Sequence, residues 1–195
     1  MTGSEGCVIT ELEKKKSSGG CIMKKLLVVV DMQNDFVTGV LGTAEAQSVV
    51  PAIAEYIKSY DGDVVFTRDT HKDNYMDTLE GEKLPVPHCI ENTTGWEIVP
   101  ELKMLSEDKG ITLKIFNKPT FGSVELAEFI RDSGYELVDF CGVCTGICVI
   151  SNEVTLKAFA PETRIVTHSD LCACVTPESH ETALAAMKTC HIDVV

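Results

Sequence analysis

Short apolar runs alternate with segments of helical periodicity along most of the chain, and this alternation constrains the fold more than any other feature. Residues 26–30 form a continuous run rich in β-branched side chains, which is typical of a strand buried on both faces. For the first helix, Ser48 is the expected N-cap, with Pro51 in the first turn. This order predicts an α/β fold: a three-layer α/β/α sandwich with a six-stranded, mostly parallel sheet. The predicted strands are residues 26–30, 64–67, 111–116, 136–141, 164–167 and 191–195, and the predicted helices are residues 49–60, 100–107, 123–133, 145–159 and 177–188.

Composition and charge narrow the classes of function. The chain has 195 residues, of which 44% are hydrophobic, enough to bury the core of one domain. We assign that domain to residues 24–195 and expect residues 1–23 to be a flexible N-terminal extension. The net charge of −13 argues against nucleic acid or an anionic membrane surface as a partner. No apolar run approaches the roughly 20 residues that span a bilayer.

The nine cysteines indicate a reduced protein. Their number is odd, several lie within apolar runs, and residues 1–23 lack the apolar core of a secretory signal, so we expect a cytoplasmic location. Neither Cys141-x-x-Cys144 nor Cys172-x-Cys174 has the second cysteine pair that a structural zinc site needs. Cys141 and Cys144 could form a redox pair, but Cys141 belongs to a buried strand and is expected to pack away from the following turn.

Polar and reactive side chains follow four of the predicted strands. Asp31 follows the first strand, Asp69 and His71 follow the second, Lys118 follows the third, and Cys148 lies in the turn after the fourth. Ligands of parallel α/β sheets bind beyond the carboxyl ends of the strands. The sequence therefore predicts that these side chains meet at one edge of the sheet.

Cys148 is the candidate nucleophile of that edge. If Thr145 is the N-cap of the following helix, Cys148 lies in the first turn, where free amides and the helix dipole favour thiolate over thiol. Asp31 could accept the thiol proton, and Lys118 would stabilise both carboxylate and thiolate. The alternatives remain open at this point: a buried structural cysteine, a turn or cap residue at Asp31, and a solvated lysine at a strand end.

The long connection at residues 70–99 adds a possible metal centre, since loops of this length inside a compact domain are usually functional. Asp69, His71, Glu80 and His88 offer two imidazoles and two carboxylates, which suit Zn, Mn or Fe. Two residues apart on an extended segment, Asp69 and His71 point to one side. Asp73 and Asp77 are possible substitute ligands, and His88 could instead cap a turn.

Five segments of the chain carry a family resemblance. They are residues 31–36 (DMQNDF), 69–71 (DTH), 87–89 (PHC), 118–119 (KP) and 142–149 (GVCTGICV). In their order and spacing, residues 24–195 resemble the isochorismatase-like cysteine hydrolases, and the nicotinamidases in particular. The resemblance implies the isochorismatase-like hydrolase fold.

The resemblance also implies roles for individual residues. Asp31, Lys118 and Cys148 would form a catalytic triad that hydrolyses an amide through a thioester. The backbone amides of Cys144 and Cys148 would form the oxyanion hole, with a cis peptide bond between Val143 and Cys144 shaping it.

The same resemblance suggests a substrate pocket and a metal role. Phe36 and Val143 would line the pocket, while Trp96 would cover it or, alternatively, anchor the long loop by packing. A divalent metal, most simply Zn with Mn or Fe as alternatives, would bind the pyridine nitrogen of the substrate. Its ligands would be Asp69, His71 and His88, with Glu80 as the fourth.

The resulting hypothesis is a nicotinamidase that produces nicotinate and ammonia in pyridine nucleotide salvage. Gly146 departs from the aspartate that nicotinamidases commonly carry there, so a cysteine amidase of another small amide or carbamoyl compound is the first alternative. A non-catalytic thiol or metal-binding protein is the second. The expected partner is a small-molecule amide, and a homo-oligomer is possible because dimers and tetramers are common among such proteins.

Overall fold

The computed structural model of the chain describes residues 23–195. The predicted extension, residues 1–23, lies outside the described residues except for Met23. All neighbouring strands pair in parallel in one six-stranded sheet of order β3-β2-β1-β4-β5-β6. The strands are β1 Lys25–Val30, β2 Asp63–Asp69, β3 Thr112–Lys118, β4 Leu137–Val143, β5 Arg164–Ala173 and β6 Asp193–Val194.

Helices cover both faces of the sheet, which confirms the predicted three-layer sandwich. Alternate β1 side chains point to opposite faces, so Val28 packs with helices of one layer and Val29 with helices of the other. None of the described helices is both long and apolar enough to cross a membrane. The helices are α1 Asn34–Val37, α2 Ala44–Ser59, α3 Leu79–Lys83, α4 Pro100–Glu107, α5 Val124–Ser133, α6 Ile150–Phe159 and α7 Pro177–Thr189.

The first long helix begins earlier than the sequence predicts. Its N-cap is Thr43, whose hydroxyl accepts a hydrogen bond from the Ala46 amide at 3.0 Å, and not Ser48. Pro51 consequently lies inside α2, away from the first turn. Residues 44–48 carry little apolar periodicity, so the side-chain cap and not the apolar face sets where the helix starts.

Strand β5 is longer than predicted, and this extension shapes the site. The pairing of β4 with β5 shifts register between Phe140 and Gly142 and then resumes, with Gly142 opposite Cys172 and Val143 opposite Ala173. Gly142 has a φ of +113°, and a Cβ placed on it would lie 2.2 Å from the Val30 carbonyl oxygen. Only glycine allows β4 to run this close to β1 at its carboxyl end.

Candidate active site and metal centre

Asp31, Lys118 and Cys148 meet at the carboxyl edge of the sheet, as the sequence predicts. Lys118, the last residue of β3, places its Nζ atom 2.6 Å from Asp31 Oδ2 and 3.3 Å from Cys148 Sγ. All three residues are buried, and Lys118 is only 1% exposed. The alternative of a solvated lysine at a strand end is therefore excluded.

Thr67 fixes the carboxylate of Asp31. The Thr67 hydroxyl donates a hydrogen bond to Asp31 Oδ1 at 2.5 Å, and the Asp31 amide donates to Thr67 Oγ1 at 3.2 Å. Asp31 adopts a φ of 49°, in the left-handed region that few non-glycine residues occupy. Strand β2 thus orients the acid that follows β1.

Burial and neighbouring charges set the protonation of the three groups. Burial raises the pKa of the Asp31 carboxyl, and Lys118 opposes that shift. Burial also disfavours the Lys118 ammonium, but Asp31, Cys148 and Asp69 outweigh it and raise its pKa. Burial first, and then the Asp31 charge, raise the pKa of the Cys148 thiol well above its ordinary value, against the effect of Lys118. This direction opposes the expected thiolate, so the thiol needs a base.

Cys148 lies in a wide turn that joins β4 to α6. The residues Thr145–Val149 form one turn of π-helix, in which the Val149 amide donates to the Cys144 carbonyl at 3.1 Å. Cys144, and not Thr145, is the N-cap, and the Thr145 hydroxyl is paired with His180 Nδ1 at 2.8 Å. The expected cis peptide bond between Val143 and Cys144 is present.

Asn152 holds this turn against the start of α5. Its amide group donates to the Cys148 carbonyl at 2.8 Å, and its oxygen accepts from the Ser123 amide at 2.9 Å. Asn152 is 2% exposed, so these hydrogen bonds are shielded from water. The position of Cys148 is thus fixed from the side of the helix as well as from Lys118.

The four predicted metal ligands form a single cluster beside these residues. One ligand atom from each of Asp69, His71, Glu80 and His88 lies within 4.8 Å of the others. Asp69 ends β2, and Glu80 lies in α3 within the long connection. Among the described residues, Asp73 and Asp77 are not part of the cluster.

The donor atoms of this cluster fit a divalent cation. His71 Nε2 lies 2.9 Å from Asp69 Oδ2 but makes no hydrogen bond within residues 23–195, so the two atoms face each other in the manner of two ligands of one ion. His88 Nδ1 donates to the Val86 carbonyl at 2.8 Å, which leaves Nε2 directed at the cluster. Such a second hydrogen bond is usual for a metal-binding histidine.

Residues outside the predicted set support the cluster. The side chain of Gln33 accepts from the Asp69 amide at 2.7 Å and donates to the Asp69 carbonyl at 2.9 Å. The ring of Tyr75 lies against both imidazoles, with centroids 4.7 Å from His71 and 5.0 Å from His88. Gln33 belongs to the family motif at residues 31–36, but nothing in the sequence indicated its contact with β2.

A cavity of about 420 Å³ opens onto both groups. Cys148, Asp69, Glu80 and His88 all line it, which places the candidate nucleophile and three of the four candidate metal ligands at one space. The remaining lining is largely apolar and includes the predicted residues Phe36 and Val143, together with Leu41, Phe121, Ile147 and Cys174.

The pocket assignment of Trp96 is corrected by the structure, because Trp96 is not among the described residues that line the cavity. Its indole N–H donates to Thr70 Oγ1 at 2.8 Å, and the Arg68 guanidinium lies 3.5 Å from its ring centroid. These contacts fix the long loop to the end of β2. The alternative of a loop anchor therefore describes Trp96.

The chain matches a known protein family over almost all of its described residues. The family model of the isochorismatase domain matches residues 25–195. The chain belongs to the isochorismatase family. Membership makes the protein a hydrolase by fold and family, and it confirms the resemblance drawn from the five motifs.

Solved structures similar to this isochorismatase-family protein include three proteins named as amidases. Pyrazinamidase of Pyrococcus horikoshii, in complex with zinc, is 29% identical with a TM-score of 0.73, and the match covers 88% of this chain and 98% of that one. Nicotinamidase of Bacillus subtilis is 27% identical with a TM-score of 0.74, covering 89% and 99%. The pyrazinamidase/nicotinamidase of Streptococcus mutans, at 24% identity and a TM-score of 0.78, covers 88% and 100% and shares the fold. No curated protein matches the chain.

Proposed function

We propose that this protein hydrolyses nicotinamide to nicotinate and ammonia, with Cys148 as nucleophile, Asp31 as general acid and base, and Lys118 as the cation that stabilises both. The single observation that carries the proposal is the position of Lys118 Nζ, in contact with Asp31 Oδ2 and Cys148 Sγ at the wall of one cavity. The similarity to a nicotinamidase and a pyrazinamidase supports the choice of substrate.

In the first half of the reaction, the Cys148 thiol attacks the amide carbon while Asp31 accepts its proton. Because the thiol has a raised pKa, this transfer has to accompany attack. Negative charge develops on the carbonyl oxygen, and the backbone amides of Cys144 and Cys148 are the proposed donors to it. The Cys144 amide donates no hydrogen bond within residues 23–195, so it is available for this role.

Asp31 then returns the proton to the amide nitrogen, ammonia leaves, and a thioester remains on Cys148. In the second half, Asp31 removes a proton from water as the water attacks the thioester. The tetrahedral species collapses with the Cys148 sulfur as the leaving group, which Lys118 stabilises until it is reprotonated. One acid that is held by Thr67 and Lys118 serves both halves.

The proposed cofactor is a divalent metal, most simply zinc, on Asp69, His71, Glu80 and His88. Bound there, it would supply a Lewis-acid contact for the ring nitrogen of the substrate. Phe36 and Val143 line the cavity and would form an apolar wall against the aromatic ring of the substrate. The Phe36 ring also packs against the imidazole of His88, with ring centroids 5.4 Å apart.

Another small amide is the second candidate substrate, and the size of the cavity favours it. About 420 Å³ falls within the range of roughly 300–1,000 Å³ that is typical of pockets for larger, drug-sized ligands. Nicotinamide, a single ring with one amide, leaves part of such a space unfilled. Larger or substituted amides are therefore included in the test.

The experiment is an ammonia-release assay on a panel of nicotinamide, pyrazinamide, benzamide and a ureido compound, with and without chelator. The proposal predicts release from the two heteroaromatic amides, with benzamide slower because it lacks the ring nitrogen, and a loss after chelation that zinc restores. Release from the ureido compound alone, unaffected by chelation, would support the other amidase and contradict the metal role.

A further inference from the structure

Two cysteines outside the proposed triad follow neighbouring strands at the same level. Val143 in β4 is paired with Ala173 in β5, and the next residue of each chain segment is a cysteine, Cys144 and Cys174. Neighbouring strands lie about 4.8 Å apart. That spacing falls within the Cα separation of roughly 4.4–6.8 Å that a disulfide accepts.

The sulfur of Cys174 occupies a site that stabilises negative charge. Hydrogen bonding from the Cys144 thiol foremost, and then from Ser179 and the backbone amides of Gly146 and Val175, lowers the pKa of the Cys174 thiol to about 5 against the opposing effect of burial. A Cβ placed on residue 146 would lie at ordinary contact distance, 3.5 Å, from the Cys174 sulfur, so the backbone of Gly146 lies beside that sulfur.

Small molecules in solution can reach this pair. Cys144 and Cys174 both line the cavity that contains Cys148. Cys174 also borders a second cavity of about 210 Å³ next to the start of α7. Cys172 also borders that second cavity, but neither Cys141 nor Cys172 is among the described residues that line the cavity of Cys148, and burial raises the pKa of each of these two thiols.

We propose that Cys174 and Cys144 form an oxidisable thiol pair that closes to a disulfide when the protein meets a peroxide. The Cys174 thiolate attacks one peroxide oxygen, the O–O bond breaks, and the sulfur becomes a sulfenic acid as hydroxide or alkoxide leaves. The Cys144 thiol then attacks the Cys174 sulfur, which forms the S–S bond and releases water. The two thiols supply two electrons, and one peroxide accepts them.

The partner of Cys144 is thus Cys174, across the strand ends, and not Cys141 in the Cys141-x-x-Cys144 motif. The consequence for activity rests on the proposed function, because the Cys144 amide is the proposed oxyanion donor. A disulfide at Cys144 ties that residue to β5 and fills part of the cavity beside Cys148. We expect oxidation to lower amide hydrolysis at least tenfold, with recovery after reduction.

The test separates this pair from the nucleophile by using the full chain with Cys148→Ala. The protein is treated with one equivalent of hydrogen peroxide, and its intact mass is measured without reduction. The pair predicts a product two hydrogen atoms lighter, whose tryptic peptides 132–157 and 165–188 are linked, with fragment ions that place the link at Cys144 and Cys174. A product that carries only added oxygen, or a link at another cysteine, overturns the proposal.

Four further single variants in that background provide matched controls. Cys144→Ser and Cys174→Ser should abolish the link, whereas Cys141→Ser and Cys172→Ser, which lie in the same two peptides, should keep it. The mass readout does not depend on any enzymatic activity, so failure of the proposed function leaves it intact. Activity is measured on proteins that keep Cys148, namely the original protein and its Cys172→Ser variant. For each, the rate of amide hydrolysis after oxidation is divided by the rate before oxidation. Both proteins should show the same loss of rate, and reduction should reverse it.

Discussion

Replacing Glu153 with glutamine should make the protein more stable near neutral pH. Glu153 lies in α6 and is 0% exposed. Its Oε1 accepts a hydrogen bond from Thr167 Oγ1 at 2.6 Å, whereas Oε2 has no partner within residues 23–195. Burial raises the pKa of this carboxyl to about 8. The folded protein therefore holds a proton that the unfolded chain releases at pH 7.

The magnitude follows from proton linkage. The ordinary pKa of the group is 4.5 and the folded value is about 8. Its contribution to stability is fully present below pH 4.5 and is lost as the pH rises towards 8. At pH 7 the pH lies about 2.5 units above the unfolded pKa, and each unit corresponds to about 1.36 kcal/mol. The free energy of unfolding is therefore about 3 kcal/mol lower at pH 7 than at acid pH. Glutamine keeps the shape and the acceptor for Thr167 but has no proton to lose.

Urea unfolding at several pH values between 5 and 8 measures the effect. The free energy of unfolding of Glu153→Gln should exceed that of the original protein by an amount that grows by about 2 to 3 kcal/mol between pH 5 and pH 7. Glu162→Gln, at an exposed position, is the matched control and should show no such growth. If the Glu153→Gln and original profiles run parallel across this range, the buried carboxyl is not protonated in the fold and the reasoning fails.

Two further predictions concern the site. Thr67→Val removes the hydrogen bond to Asp31 Oδ1 and should lower kcat by about tenfold to a hundredfold, since a hydrogen bond to a charged group contributes about 1.5–3 kcal/mol. Thr67→Ser keeps the hydroxyl and should retain most activity. Equal kcat values in the two variants would exclude an orienting role for Thr67. The original protein should retain about one zinc ion per chain after dialysis, as measured by elemental analysis, and His71→Ala should retain at least tenfold less. His191→Ala is the control and should retain as much zinc as the original protein. Undiminished zinc in His71→Ala would place the metal elsewhere.

Much of the fold is predictable because the apolar pattern is local. The β1 run and the helical segments that follow each strand define the layers, and the rule that ligands bind beyond strand ends identifies Asp31, Lys118 and Cys148 as neighbours. The cluster at Asp69 and His71 follows from residue type and spacing.

What the sequence does not reveal depends on register and on burial. Thr67 contacts Asp31 only because β2 lies beside β1, and Cys174 reaches the cavity only because β5 resumes its pairing with β4 after a shift. The raised pKa of the Cys148 thiol is a further example, since a first-turn position does not tell how completely the thiol is desolvated. Trp96 shows the same limit, because its contact with Arg68 lies across the end of β2.

The central claim is that the thiol of Cys148 carries the reaction. The most direct measurement is single-turnover ammonia release from nicotinamide by Cys148→Ala and by Cys172→Ala, each loaded with zinc. The account predicts that Cys148→Ala releases no ammonia above the uncatalysed rate while Cys172→Ala releases one equivalent per chain. Full ammonia release by Cys148→Ala would contradict it.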